Sequence, residues 1–294
     1  MAADAILQGG RKIRRTAADL ARFVIRRPTR RLDPSGLSFY RAAGRQRVDT
    51  GLFRADPRLA VLLAFGQSNL ANEGDPAALC VPVPGVYNFN PFDGRCYVAR
   101  DPLLGASADR SNVATRLGDL LIRRGAYDRV LLLPIAFGGS YMADWAPRGI
   151  LHARLAVALR RLARAGVAVT HALWAQGEAE AAAAVPDGAA WAERFHAMVT
   201  ALRMYGVTAP LYVAQSTVCD NTGNAVIRAA QRSVIDARAA IFAGPDTDTI
   251  GLDERWDRCH FAASGMEKAA ELWFRALVAP HAVSSRPREA PPDR

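Results

Sequence analysis

The chain has 294 residues, 50% of them hydrophobic, with 38 basic and 28 acidic side chains and a formal net charge of +10. That is enough apolar material for one large α/β domain or two small ones, and no apolar run approaches the roughly 18–20 residues of a membrane-spanning helix. The amino terminus lacks a long apolar segment ending in a small-residue cleavage site, so no secretory leader is read and a cytoplasmic protein is the expectation.

The charge is unevenly placed. Residues 1–58 hold 14 Lys and Arg against 5 Asp and Glu, and the rest of the chain holds 24 against 23. The excess therefore belongs to an arm, 1–58, and the body is nearly neutral. Leu20, Phe23 and Val24 recur at roughly helical spacing between two arginine-rich clusters, which predicts a short basic amphipathic helix broken at Pro28. Two readings stay open for the arm: a solvated, partly disordered extension, or peripheral contact with an anionic membrane surface or an acidic partner. Nucleic acid is not an expected partner, because Phe23 alone lies between the basic clusters and no recognition module is present.

From Leu59 onward, apolar runs of strand length alternate with helical patterns. The strands are read at 59–65, 129–136, 170–175, 210–215 and 239–243. The helices are read at 112–124, 150–165, 188–205, 224–238 and 263–278. Ser111 is placed to cap the first helix, Pro186-Asp187-Gly188 opens the third, and Gly125, Gly166 and Gly206 stop three of them. This alternation implies a parallel sheet covered by helices on both faces. Residues 66–110, rich in Pro, Gly and Asn, read as a long ordered loop system walling a site. The segment 281–294 is Pro- and charge-rich and is expected to be disordered.

The four cysteines, Cys80, Cys96, Cys219 and Cys259, have no metal-ligand spacing. A Cys80–Cys96 disulfide is conceivable in an oxidising compartment; free thiols in or near the core are the simpler expectation.

The run Leu59–Phe65 ends in Gly66-Gln67-Ser68-Asn69, which puts Ser68 just beyond the carboxyl end of a buried strand, where open α/β sheets carry their chemistry. Such a serine is either a nucleophile or a helix cap. A nucleophilic serine needs a base, and the base needs a partner to hold its tautomer. Of five histidines, His152 and His196 fall within helices, His171 opens a strand and His281 lies near the end of the chain. His260 sits in a polar loop, with Asp257 one tight turn before it. Acyl transfer also needs donors for an oxyanion. Gly138-Gly139 after the second strand and Gln176 after the third are candidates, and Glu178 can anchor its loop. The alternatives are an ordinary turn for the glycines and a satisfied polar residue for Gln176. Trp145, Asn69, Asn72, Asn88 and Asn90 either shape a polar pocket or order the loops.

Taken in order, Phe65-Gly66-Gln67-Ser68-Asn69, Gly138-Gly139-Ser140 with Ala143-Asp144-Trp145, Trp174-Ala175-Gln176-Gly177-Glu178, and Asp257-x-x-His260 resemble the motifs of SGNH hydrolases, in particular the sialate O-acetylesterase-like, carbohydrate acetylesterase branch. The resemblance spans roughly residues 59–278, and the hydrolase domain is set at 59–280. It implies a three-layer α/β/α sandwich on a five-stranded parallel sheet of flavodoxin-like type. It also implies hydrolysis of O-acetyl esters on a carbohydrate, with no metal or organic cofactor. By position it makes Ser68 the nucleophile, His260 the base and Asp257 its partner. The oxyanion donors become the Ser68 N–H, Gly138 or Gly139, and Gln176, with Gln67, Asn69 and Glu178 in support. Ala179-Glu180 departs from the Ser-Asp usual after Gln-Gly-Glu. Acyl transfer to a second sugar, or non-catalytic glycan binding, are the competing functions.

Overall fold

The computed structural model describes residues 42–279, apart from 55, 184, 221 and 222. Eight strands form one sheet: β1 Arg47–Val48, β2 Leu59–Gly66, β3 Val86–Asn90, β4 Arg95–Val98, β5 Arg129–Pro134, β6 His171–Ala175, β7 Leu211–Gln215 and β8 Ile241–Asp246. Their order is β1-β4-β3-β5-β2-β6-β7-β8. Pairing is parallel from β3 to β8 across the sheet and antiparallel for β3–β4 and β1–β4.

The central strand β2 is buried along its whole length, as a parallel strand covered on both faces must be. Its side chains alternate between two cores. Leu59, Val61, Leu63 and Phe65 join one cluster, and Ala60, Leu62 and Ala64 the other. The first cluster is closed by helices α2 Met142–Trp145, α3 His152–Arg164, α5 Gly188–Met204 and α6 Ala225–Ser233. The second is closed by α1 Val113–Arg123 and α7 Ala263–Val278, while α4 Glu178–Ala181 is a single turn after β6. The result is the expected three-layer α/β/α sandwich.

All five strands read from the sequence are present, as β2, β5, β6, β7 and β8, but the sheet is wider. The stretch 66–110 is not only loop. It contributes β3, parallel to β5, and β4, which turns back against it. Asparagines at 88 and 90 hide the strand pattern. Asn88 is nonetheless buried, because its amide donates to the Leu104 carbonyl at 2.9 Å and accepts from the Leu104 N–H. The folded part also begins before residue 59: β1 pairs with β4, and Phe53, 2% exposed, packs in the first core.

Helix ends follow local chemistry. Asn112, not Ser111, caps α1, accepting from the Ala114 N–H; the Ser111 hydroxyl instead donates to the Asp75 carbonyl. Asp187 caps α5 as expected. Helix α6 ends at Ser233, short of 238, because Asp236 caps a separate 3₁₀ turn, Ala237–Ala239. Cys80 and Cys96 are free thiols, and the disulfide joins Cys219 to Cys259 instead, 40 residues apart. The amphipathic segment around Leu20, Phe23 and Val24, its break at Pro28, and the segment 281–294 lie outside the described residues.

Candidate active site

The parallel strands leave their carboxyl ends on one edge, and four loops meet there. Strand β2 ends at Gly66, whose φ of +118° and close approach to β6 exclude a side chain: a Cβ would collide with the Ala175 carbonyl. The chain can then turn so that the Gln67 N–H donates to that carbonyl at 2.8 Å, and a 3₁₀ turn, Ser68–Leu70, follows. Ser68 opens the turn and is 4% exposed.

The turn is clamped from the β6 loop. Gln67 Oε1 accepts from the Gly177 and Ala179 N–H groups at 3.2 and 3.3 Å. Asn69 Nδ2 donates to Glu178 Oε1 at 2.7 Å, and the Ser216 hydroxyl donates to the same oxygen at 2.7 Å. Glu178 is thus a buried post shared by the loops after β2, β6 and β7. Burial pushes its pKa up, against the hydrogen bonds from Ser216 and Asn69. Beneath the turn, Phe65, Trp145 and Trp174 form a T-shaped cluster with ring centroids 4.8–6.0 Å apart. Each such pair adds about 0.5–1.5 kcal/mol beyond its buried area, which gives the Ser68 loop a rigid floor.

The loop before α7 brings the imidazole. Asp257 Oδ1 accepts from the His260 and Cys259 N–H groups at 2.7 and 3.1 Å, and Asp257 Oδ2 lies 2.7 Å from His260 Nδ1. One short turn therefore fixes the carboxylate on the imidazole. Burial alone would raise the Asp257 pKa, but its hydrogen bonds with His260 and the charge of that ring bring it down to about 2. Burial alone would lower the His260 pKa. The Asp257 hydrogen bond and the charges of Glu73, Asp257 and Glu178 outweigh burial and raise it.

Two features of this loop have no local signal in the sequence. Arg255, 5% exposed, donates to the carbonyls of Val218, Thr247, Ile250 and Cys259. The Cys219–Cys259 bridge ties the residue beside His260 to the loop after β7. Only the folded topology brings these groups together.

The Ser68 and His260 loops are joined through residues 73–75. The Trp256 indole donates to the Glu73 carbonyl at 3.3 Å, and the Asp75 N–H donates to the Phe261 carbonyl at 3.1 Å. Glu73 Oε2 stands 3.5 Å from His260 Nε2. Glu73 Oε1 fills the space where a Cβ on Gly138 would lie. Glu73 was not among the residues picked from the sequence. The only cue was its position five residues after Ser68.

The predicted oxyanion donors fare unequally. The Gly138 N–H is committed to Ser107 Oγ at 2.8 Å, and Gly139 follows at φ +66°. Gln176 is held by neighbouring protein groups. It is fully buried, its amide donates to the Ser140 carbonyl at 3.1 Å and to Glu180 Oε2, and its oxygen accepts from the Trp191 indole at 2.8 Å. Both amide hydrogens are engaged, so the side chain braces the Ser140 loop. Glu180, the departure from Ser-Asp, completes that brace by accepting from the Met142 N–H at 2.5 Å. Asn72, Asn88 and Asn90 are buried loop-ordering residues, and Trp145 is buried with its indole on Ser140 Oγ.

Residues 58–279 match the family described as carbohydrate esterase, sialic acid-specific acetylesterase. No curated protein matches the chain. Among solved structures, a protein of Arabidopsis thaliana superposes with a TM-score of 0.62 at 15% identity, over 76% of this chain and 99% of that one. The protein NanS superposes with a TM-score of 0.52 at 17% identity, over 74% of this chain and 96% of that one. At these identities the likeness is one of fold.

Proposed function

The chain belongs to the sialic acid-specific acetylesterase family of carbohydrate esterases, and from that premise we propose that it cleaves O-acetyl esters of a carbohydrate through Ser68, His260 and Asp257. The observation that carries this reading is the Asp257–His260 hydrogen bond of 2.7 Å on a loop fastened to the loop that leaves Ser68.

Asp257 holds the proton on Nδ1, so Nε2 is the basic nitrogen. It takes the proton of Ser68 Oγ as that oxygen attacks the acetyl carbonyl. The tetrahedral oxyanion is received by the backbone N–H groups of Ser68 and Gly139, worth about 10²–10³ in turnover for each donor. The imidazolium then protonates the departing sugar hydroxyl, leaving an acetyl-enzyme. Water, deprotonated by the same nitrogen, releases acetate and restores Ser68. The protein body that does this is nearly neutral, which suits an uncharged ester. For location, the Cys219–Cys259 bridge is of a kind that persists in oxidising compartments, which favours such a compartment over the cytoplasm.

Acetate release from acetylated saccharides by the wild type and by Ser68→Ala tests the reading. Loss of turnover in Ser68→Ala, with its melting temperature close to that of the wild type, is expected. Turnover retained by the variant refutes it.

A further inference from the structure

Glu73 puts a negative charge where the reacting ester must dock. Its carboxylate is 3.5 Å from His260 Nε2 and lies against the Gly138 backbone, beside the Gly139 donor. Its side chain is 22% exposed, so it borders the crevice and is not sealed beneath it. Among the described residues its one ionic partner is His260. The Arg110 guanidinium lies over the Trp256 ring, 4.7 Å from its centroid. Trp256 fixes the Glu73 main chain through its indole N–H, so the carboxylate is held at this place from both ends.

We infer that Glu73 selects the sugar: it accepts hydrogen bonds from the hydroxyls flanking the ester of an uncharged O-acetylated saccharide and turns away O-acetylated sugar acids. A carboxylate accepts hydrogen bonds and donates none. A neutral polyol therefore satisfies it, whereas a sugar carboxylate meets a like charge whenever His260, the ionic partner of Glu73, is in the neutral form that acts as base. At a separation of about 6 Å the repulsion gives a few-fold discrimination in a water-like dielectric and about a hundredfold at an effective dielectric near 20. About tenfold is the working value. This inference rests on the esterase reading above and adds the substrate class to it.

The test compares kcat/KM for an O-acetylated xylo-oligosaccharide and for O-acetylated sialic acid, in the wild type, Glu73→Gln and Glu73→Asp. Ser68-dependent hydrolysis of 4-nitrophenyl acetate by the wild type is measured alongside. The wild type should prefer the neutral sugar. Glu73→Gln should move the ratio toward the acid by about tenfold, and Glu73→Asp, which keeps the charge, should stay with the wild type. Raising salt from about 0.01 M to about 1 M shortens the screening length from about 30 Å to about 3 Å. In the wild type that should raise kcat/KM for the acid and leave the neutral sugar unmoved, a readout that needs no variant. A ratio unchanged in Glu73→Gln, a wild-type preference for the acid, or equal shifts in both variants overturns the inference while aryl acetate turnover leaves the esterase reading standing. Absence of Ser68-dependent aryl acetate turnover overturns that reading, and this inference with it.

Discussion

Replacing Gln176 by alanine separates a brace from a catalytic donor. In the fold the amide serves three buried partners: the Ser140 carbonyl, the Glu180 carboxylate and the Trp191 indole N–H. Glu180 already has its pKa raised by burial, against the hydrogen bonds from Met142 and Gln176. Leaving a buried polar group unpaired costs about 1–3 kcal/mol, and some of the three will find water, so the variant should lose about 3 kcal/mol. For a folded chain of this size that corresponds to a fall in Tm of roughly 6–12 °C. Thermal denaturation followed by near-ultraviolet circular dichroism reads this directly. At a temperature where the variant is folded, kcat/KM should drop by no more than about tenfold, or about 1.4 kcal/mol of transition-state stabilisation. A Tm equal to that of the wild type, with turnover reduced by about 10²–10³, would refute the reasoning and return Gln176 to the oxyanion.

Other expectations follow from the same geometry. Because His260 acts as a base only when neutral and its pKa is raised, the acidic limb of kcat/KM against pH should have its midpoint above the unperturbed 6.5. Asp257→Asn should move that midpoint down and lower kcat by about 10⁴; a pH–rate profile with an unmoved limb would contradict the pairing. Gly66→Ala should destabilise the fold and impair turnover together, because any Cβ there meets the Ala175 carbonyl; a stable, active variant in urea titration and ester assay would show that the β2–β6 approach is looser than described. Removing the bridge with Cys219→Ser should cost about 4 kcal/mol for a closed loop of 40 residues, read by urea denaturation, and an equal midpoint in wild type and variant would show that the link constrains nothing.

The parts of the fold that could be read in the chain are those where one physical signal dominates. Strands β2, β5, β6 and β7 are apolar on both faces, so Leu59–Phe65 reads as buried whichever way its side chains point. Strand β3 escaped because Asn88 and Asn90 break the apolar pattern, and only the folded loop supplies Asn88 with the Leu104 partners that let it be buried. The Asp257–His260 pairing was legible because both ends lie within one turn. The roles of Arg255 and Glu73 were not, since their partners come from remote loops. The buried partners of Gln176 were illegible for a related reason: a polar residue at a strand end looks the same in sequence whether it meets a ligand or a buried neighbour. The pairing of Cys219 with Cys259 was hidden in the same way, by 40 intervening residues.

Labelling of Ser68 tests the account most directly. The full chain is titrated with a fluorophosphonate, the adduct is mapped by peptide mass spectrometry, and residual acetate release is followed in parallel. One adduct per chain, at Ser68, with activity falling in proportion to its occupancy and reaction abolished in His260→Ala, is the result expected. Full labelling elsewhere, or acetate release that persists when Ser68 is wholly modified, would contradict it.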